Sequence, residues 1–144
     1  MRHDLVVSKS IIIDAENSKV WEALTNPAII KEYLYGTETI TDWQIGHKIA
    51  FQGEYDGHQY KDHGFILENI PGKKLSYSYW SAFTGLEDIP ENYSTVTYAL
   101  NVLNNHQTEF TWEQKGFANE DGYKHSVNGM DAFLNQIKDI IERN

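Results

Sequence analysis

The longest regular hydrophobic pattern lies in the last quarter of the chain. Apolar residues there recur at alternating steps of four and three, which is the spacing of one face of an α-helix. The pattern predicts a helix from about Asn119 to Arg143, with Asn119 as its N-cap. A stripe of this length needs a broad apolar surface to pack against. Its members are Tyr123, Val127, Met130, Leu134, Ile137 and Ile141.

Most of the chain before this helix alternates between apolar and polar residues, which is typical of strands with one buried face. Tight turns such as Asp56-Gly57 and Pro71-Gly72 separate these segments and favour an antiparallel meander. A short strand is also expected around Thr37–Thr41. The sheet should therefore contain about six strands. The longer strands are predicted at Leu5–Ile13, Ile49–Tyr55, His58–Ile70, Lys73–Ser81, Tyr93–Val102 and Thr108–Lys115.

Two short helices are predicted after the first strand. Asn17 is a candidate N-cap for the first, and Asn26-Pro27 ends that helix and begins the second. These elements together predict an α+β fold in which a curved antiparallel sheet wraps around the C-terminal helix. Residues 1–144 are expected to form one domain, because no linker, repeat or low-complexity segment interrupts them.

One connection is too long for a hairpin. The segment Ala82–Asn92 carries Phe83, Leu86 and Ile89 without any periodicity. Long loops that bear apolar residues are often lids over binding sites, so these three side chains are lid candidates. The alternative is that they pack on the edge of the domain.

The charge balance narrows the choice of partners. A net charge of −9 disfavours both nucleic acid and anionic membranes as partners. The absence of cysteine excludes disulfides and thiol catalysis. No apolar run is long enough for a signal peptide or a membrane span, so the expected location is the cytoplasm. Either a monomer or a homodimer is compatible with exposed strand edges.

No catalytic or metal-binding motif is present. The six histidines lack metal-site spacing, and nucleophile-elbow, phosphate-loop and dinucleotide motifs are absent, so neither a metal nor a cofactor is expected. Three acidic residues near the predicted hairpin, Glu54, Asp56 and Asp62, are candidates for acid–base chemistry. A charged solvent-facing hairpin explains them more simply.

The alternation suggests a ligand cavity between the sheet and the long helix. Ligand sites are mostly apolar and contain a few polar groups that orient the ligand. Tyrosine hydroxyls and the Gln114 amide would be those groups. A close-packed core with the same composition is the alternative. The candidates on the facing surfaces are Tyr77, Tyr79, Tyr98, Phe110, Trp112 and Gln114 on strands, and Tyr123, Val127, Met130 and Leu134 on the helix.

The order of short motifs along nearly the whole chain resembles the START-like (SRPBCC) superfamily of helix-grip domains. Within it, the chain is similar to the group named after the C-terminal domain of the Hsp90 ATPase activator. The matching residues are Ile13-Asp14-Ala15, Val20-Trp21, Ala23-Leu24, Asn26-Pro27, Trp43, Gly46, Gly64, Ile70-Pro71, Leu75, Ser94, Val96-Thr97, Thr108, Gly116-Phe117 and Gly129.

This resemblance implies a helix-grip fold with a deep, largely apolar cavity and no fixed catalytic set. The chain departs from the group at Glu16-Asn17, where proline is common, and at Gly129-Met130, where Gly-Trp is common. Three functions remain open: binding of a small apolar or aromatic molecule, a chaperone-cofactor-like interaction module, and a cyclase- or hydrolase-like enzyme.

Overall fold

A computed structural model describes residues 1–144. Its elements, in chain order, are β1 (Arg2–Ile13), α1 (Asn17–Thr25), α2 (Pro27–Tyr33), β2 (Glu38–Ile40), β3 (Lys48–Tyr55), β4 (His58–Ile70), β5 (Lys74–Tyr79), β6 (Ser94–Asn104), β7 (Gln107–Phe117) and α3 (Glu120–Arg143). Two 3₁₀ turns, Ala82–Thr84 and Pro90–Asn92, lie in the connection between β5 and β6. The order of elements confirms the predicted α+β helix-grip fold.

The sheet has seven strands in the order β1-β7-β6-β5-β4-β3-β2, and every pair is antiparallel. The prediction of about six strands is therefore one too low. The short strand expected around Thr37–Thr41 is β2, whose three residues pair with β3 at one edge of the sheet. Pairing of β1 with β7 is the one contact between strands distant in sequence, and it joins the two ends of the chain.

The long helix α3 packs across one face of the curved sheet. Asn119 caps it as predicted, because its side-chain oxygen accepts a hydrogen bond from the backbone nitrogen of Gly122 at 2.9 Å. Leu134, Ile137 and Ile141 on its second half are almost fully buried. None of the three α-helices combines the length and apolar character that a bilayer crossing requires.

The prediction that Asn17 caps α1 is wrong. Glu16 occupies the N-cap position, and Asn17 is the first residue of the helix. The Asn17 amide instead donates a hydrogen bond to the carbonyl of Gly72 at 2.9 Å, which ties α1 to the turn between β4 and β5. Asn26 does cap α2, since its side chain accepts from the backbone nitrogen of Ala28.

One face of β4 points toward the interior of the fold, although the strand carries apolar residues on both faces. Asp62 and Ile66 are buried on the inner side, whereas Phe65 and Leu67 are about half exposed on the outer side. The apolar residues on the outer face had obscured the alternation. Asp62, a candidate for a solvent-facing position, therefore lies inside the fold.

Gly64 lies between these inward-facing residues at a point where β4 and β5 come very close. A Cβ atom on Gly64 would lie 1.6 Å from the backbone oxygen of Ser78. Nearby, the backbone nitrogen of Phe65 donates to the Ser78 hydroxyl at 2.9 Å, and the register shifts between Ile66 and Glu68. Irregularities of this kind bend a strand. The crossing of β4 and β5 therefore requires glycine at position 64.

We expect Gly64→Ala to destabilise the protein by about 3 kcal/mol or more, because the methyl group would force two backbones apart. Gly129→Ala is the matched control. Nothing lies within 4 Å of a Cβ at Gly129, which is in the interior of α3. That change should stabilise the protein by about 0.5–1 kcal/mol through helix propensity. Urea denaturation of both variants measures the difference, and equal stabilities would contradict this account of β4.

Candidate ligand-binding cavity

A cavity of about 730 Å³ lies between the inner face of the sheet and the first half of α3. Ligand sites in proteins usually have volumes between about 300 and 1,000 Å³. The cavity opens to the surface, because Tyr35, Tyr55 and Phe83 at its rim are 79%, 70% and 69% exposed. The interior of this helix-grip fold is therefore hollow and accessible to a small molecule.

Aromatic and aliphatic side chains form most of the cavity wall. They come from β3, β5, β6 and β7 on the sheet side and from α3 on the helix side. The inner apolar wall consists of Phe51, Tyr77, Val96, Trp112, Met130 and Phe133; the polar lining is Thr37, Tyr60, Asp62, Tyr79, Gln114 and Ser126; the entrance is lined by Leu34, Tyr35, Glu54, Tyr55, Phe83, His125 and Gly129.

Asp62 is the one buried carboxylate of this wall, with only 7% of its surface exposed. The Tyr79 hydroxyl donates a hydrogen bond to Asp62 Oδ2 at 2.5 Å. Burial and the adjacent carboxylate raise the pKa of Tyr79 well above its usual range. Tyr79 therefore keeps its proton and donates it in this hydrogen bond, which leaves Oδ1 of Asp62 as the free acceptor of the pair.

Two further hydroxyl pairs hold the tyrosine walls in place. Tyr77 and Tyr98 share a hydrogen bond of 2.8 Å at the back of the cavity, and their rings meet edge to face. Tyr60 and Thr37 share one of 2.5 Å on the side nearer the entrance. Buried polar groups that are paired in this way fix the positions of large side chains. The shape of the cavity is thus largely formed before any ligand enters.

The structure places five of the ten predicted ligand-binding residues on the cavity wall: Tyr77, Tyr79, Trp112, Gln114 and Met130. The other five lie elsewhere. Tyr98, Phe110 and Leu134 are buried in the core behind or beside the wall, Val127 packs against that core, and Tyr123 packs its ring against Phe117 at 5.4 Å.

Most of the helical residues on the cavity wall flank the apolar stripe and do not belong to it. Ser126, Gly129 and Phe133 each precede a stripe residue by one position, and His125 lies beside Ser126. Met130 is the one stripe residue on the wall, and the rest of the stripe lies in or packs against the core. A small and partly polar flank such as this gives no hydrophobic signal, which is why sequence periodicity misses it.

The β5–β6 connection meets the cavity only at Phe83. Its ring lies 6.0 Å from that of Tyr60 at the entrance, while Leu86 and Ile89 are half-buried outside the cavity. Phe83 also borders a smaller adjoining cavity of about 420 Å³. Of the three lid candidates, Phe83 is therefore the one in a position to contact a molecule in the main cavity.

A polar cluster anchors the same connection to β4. His63 Nε2 lies 3.0 Å from both Asp88 Oδ2 and the Tyr93 hydroxyl, and Tyr93 donates to Asp88 Oδ1 at 2.5 Å. Burial and the bond to Asp88 raise the pKa of Tyr93 to about 12, and the Tyr93 and His63 bonds lower the pKa of Asp88. These hydrogen bonds attach the second half of the β5–β6 connection, which carries Phe83 in its first half, to β4.

The structure gathers no group of three histidine, aspartate or glutamate side chains that could hold a metal ion. Glu54 and Asp56 lie exposed near the end of the β3–β4 hairpin, whereas Asp62 faces inward. Glu54 and Asp62 line the same cavity, one at its entrance and one on its wall, whereas Asp56 does not line it. The three acidic residues considered for acid–base chemistry therefore do not form one cluster.

The sequence offers Asp62 only as an acid–base candidate and not as a residue of the ligand cavity. Its alternation with Gly64 and Ile66 fits an inward face, but Phe65 and Leu67 give the other face of β4 a similar apolar signal.

Alkaline titration tests the burial of the tyrosine wall. Burial raises the pKa of Tyr33, Tyr77 and Tyr98 above the value of about 10 that tyrosine has in unfolded chains. These phenols therefore contribute stability that is complete below about pH 10 and is lost as the pH rises further. Their tyrosinate absorbance should appear only together with the loss of near-ultraviolet circular dichroism. Full ionisation of all nine tyrosines in a still-folded protein would contradict this geometry.

Comparisons with known proteins agree with the fold. The family model described as Activator of Hsp90 ATPase homolog 1-like protein matches residues 14–142. The solution structure of ChR145 from Cytophaga hutchinsonii is 38% identical, with a TM-score of 0.84, and the match covers 99% of this chain and 97% of that one. The crystal structure of MLL2253 from Mesorhizobium loti is 25% identical, with a TM-score of 0.76, and the match covers 96% and 98% of the two chains.

The solution structure of the Aha1 dimer from Colwellia psychrerythraea is 18% identical, with a TM-score of 0.72, and the match covers 95% of this chain and 96% of that one. At this identity the likeness shows the fold alone. No functionally curated protein matches the sequence. The family model nevertheless spans almost all of the chain, and it confirms the resemblance seen in the sequence motifs. The chain belongs to the family of Activator of Hsp90 ATPase homolog 1-like proteins.

Proposed function

We propose that residues 1–144 act as one ligand-binding domain that holds a small apolar or aromatic molecule between the sheet and α3. Its role would be that of a carrier, a sensor or a scavenger. The observation that carries this proposal is the open cavity of about 730 Å³ with a mainly aromatic wall. Without a ligand, a hollow of this size costs the fold packing energy, since protein interiors are normally close-packed.

The wall has the composition that binding of an aromatic body requires. Burying about 200 Å² of apolar ligand surface provides about 5 kcal/mol, from which the cost of association is subtracted. Trp112 and Phe133 present an edge-to-face ring pair at 4.9 Å, and Phe51 packs against both Tyr77 and Tyr79. These rings supply broad surfaces with little conformational freedom to lose on binding.

A chaperone-cofactor-like interaction module is the second candidate. The family description, which refers to an Hsp90 ATPase activator, favours it. This candidate predicts a filled interior and a sizeable exposed apolar patch around the β5–β6 connection. The interior here is hollow, and Phe83 is the one strongly exposed member of the three apolar residues in that connection. Ligand binding is therefore the better-supported proposal, for a monomer or for a homodimer.

A fluorescent apolar probe, N-phenylnaphthylamine, tests the first proposal. The wild-type protein should bind it saturably with one site per chain. Ser126→Trp should weaken binding by about tenfold or more, because the indole would project from α3 into the cavity and occupy ligand space. Asn128→Trp is the matched control, since Asn128 is exposed on the same helix and does not line the cavity.

The probe is excited at wavelengths longer than those that tryptophan absorbs, so that the introduced indoles do not contribute to the signal. Binding that is unsaturable, or that Ser126→Trp and Asn128→Trp affect equally, would remove the cavity as the ligand site.

The second candidate makes its own measurable claim. If the chain is a chaperone cofactor, the purified protein should raise the ATPase rate of an Hsp90-type chaperone. Phe83→Asp should then abolish the effect by placing a charge on the exposed apolar residue of the connection. An unchanged ATPase rate at saturating protein would rule out that candidate and leave probe binding unaffected.

A further inference from the structure

We propose that the cavity selects ligands that carry a positively charged nitrogen on an apolar body, and that the carboxylate of Asp62 receives that nitrogen. The inference rests on the proposed function, because it takes the cavity to be a ligand site. It adds the chemical class of the ligand, an organic amine, and the residue that recognises it.

Asp62 has no positively charged partner within the protein. Its surface is only 7% exposed, and none of the ion pairs in the structure includes it. Tyr79 donates one hydrogen bond to Oδ2, whereas Oδ1 accepts none from the protein. Oδ1 is not fully enclosed by protein atoms. Because Asp62 lines the cavity, Oδ1 is accessible from it.

A buried carboxylate without a positively charged partner lowers the stability of the fold, and a bound cation would offset that cost. Removal of a charge from water is costly, and the cost is recovered by a paired opposite charge with good hydrogen-bond geometry. The ammonium group of a ligand would supply both the charge and the hydrogen bonds to Oδ1. Tyr79 would keep its own bond to Oδ2 and hold the carboxylate in orientation.

The remaining charges around the cavity favour a cation in the same way. No lysine or arginine lines the cavity, while Glu54 adds a second carboxylate at the entrance. His125, the one histidine of the lining, is exposed at the rim. The chain as a whole carries a net charge of −9. The local and overall fields therefore attract cations and repel carboxylate, sulfate or phosphate ligands.

The rings close to Asp62 strengthen the preference. The Tyr79 hydroxyl is hydrogen-bonded to the carboxylate. The ring of Phe51 packs against the ring of Tyr79, with centroids 5.8 Å apart. Tyr77 lies next to Phe51 at 5.5 Å. Aromatic faces attract ammonium groups when water is excluded. The carboxylate fixes where the nitrogen lies, and the rings accommodate both the charge and the adjoining apolar body.

Calorimetric titration with two matched probes, naphthylethylamine and naphthylethanol, tests the inference. They share one apolar body and differ in the polar group. Burial alone favours the alcohol, since the ammonium group must lose more hydration. The wild-type protein should nevertheless bind the amine about tenfold or more tightly than the alcohol, which is the size expected for a charge-assisted hydrogen bond.

Asp62→Asn should abolish this preference while the alcohol binds as before. Asp56→Asn is the matched control, because it makes the same chemical change at an exposed carboxylate that does not line the cavity, and it should leave the preference intact. Circular dichroism establishes that each variant is folded, and the wild-type comparison of the two probes decides the matter even if Asp62→Asn fails to fold.

Equal binding of the two probes by the wild-type protein would overturn the inference while leaving the proposed function standing. A preference that Asp56→Asn removes as completely as Asp62→Asn would also overturn it, since the overall field would then be sufficient. Failure of both probes to bind, together with failure of N-phenylnaphthylamine, would overturn the proposed function itself and the inference with it.

Discussion

The packing of the second half of α3 against the β1 side of the sheet is the constraint on which the rest of the structure depends. Leu134, Ile137 and Ile141 are almost fully buried there. Lys138 adds a polar attachment, because its ammonium group donates to the carbonyl of Ile12 at 2.8 Å. One end of the helix is thus fixed to the first strand, and the other end spans the sheet above an open space.

That space persists because its walls support one another. Gly64 permits the close crossing of β4 and β5, and the bend there positions Asp62 and Tyr79 at the cavity. The Tyr77–Tyr98 hydroxyl pair holds the back wall, where burial keeps both phenols protonated. Collapse of the cavity would break these buried hydrogen bonds, which are expensive to leave unmade. A hollow interior is therefore compatible with a stable fold.

Much of this architecture could be predicted from the sequence, because the elements obey simple periodicities. β4 matches its predicted bounds, and α3 begins directly after its predicted cap, Asn119. The wall of the cavity was harder to predict. Strand alternation gives the face of a residue such as Phe110 but not whether that face meets the helix or the hollow. The inward position of Asp62 escaped prediction because β4 carries apolar residues on both faces, so its alternation does not show which face is buried.

The central claim is that the space between the sheet and α3 admits a ligand, and methyl NMR of methionine tests it most directly. The chain has two methionines: Met130 on the wall of the main cavity, and Met1 beside the smaller adjoining one. Titration with naphthalene should shift the Met130 methyl signal saturably through the ring current, while the Met1 signal changes little. If the Met130 signal does not move at saturating naphthalene, or if only Met1 responds, the main cavity is not the ligand site.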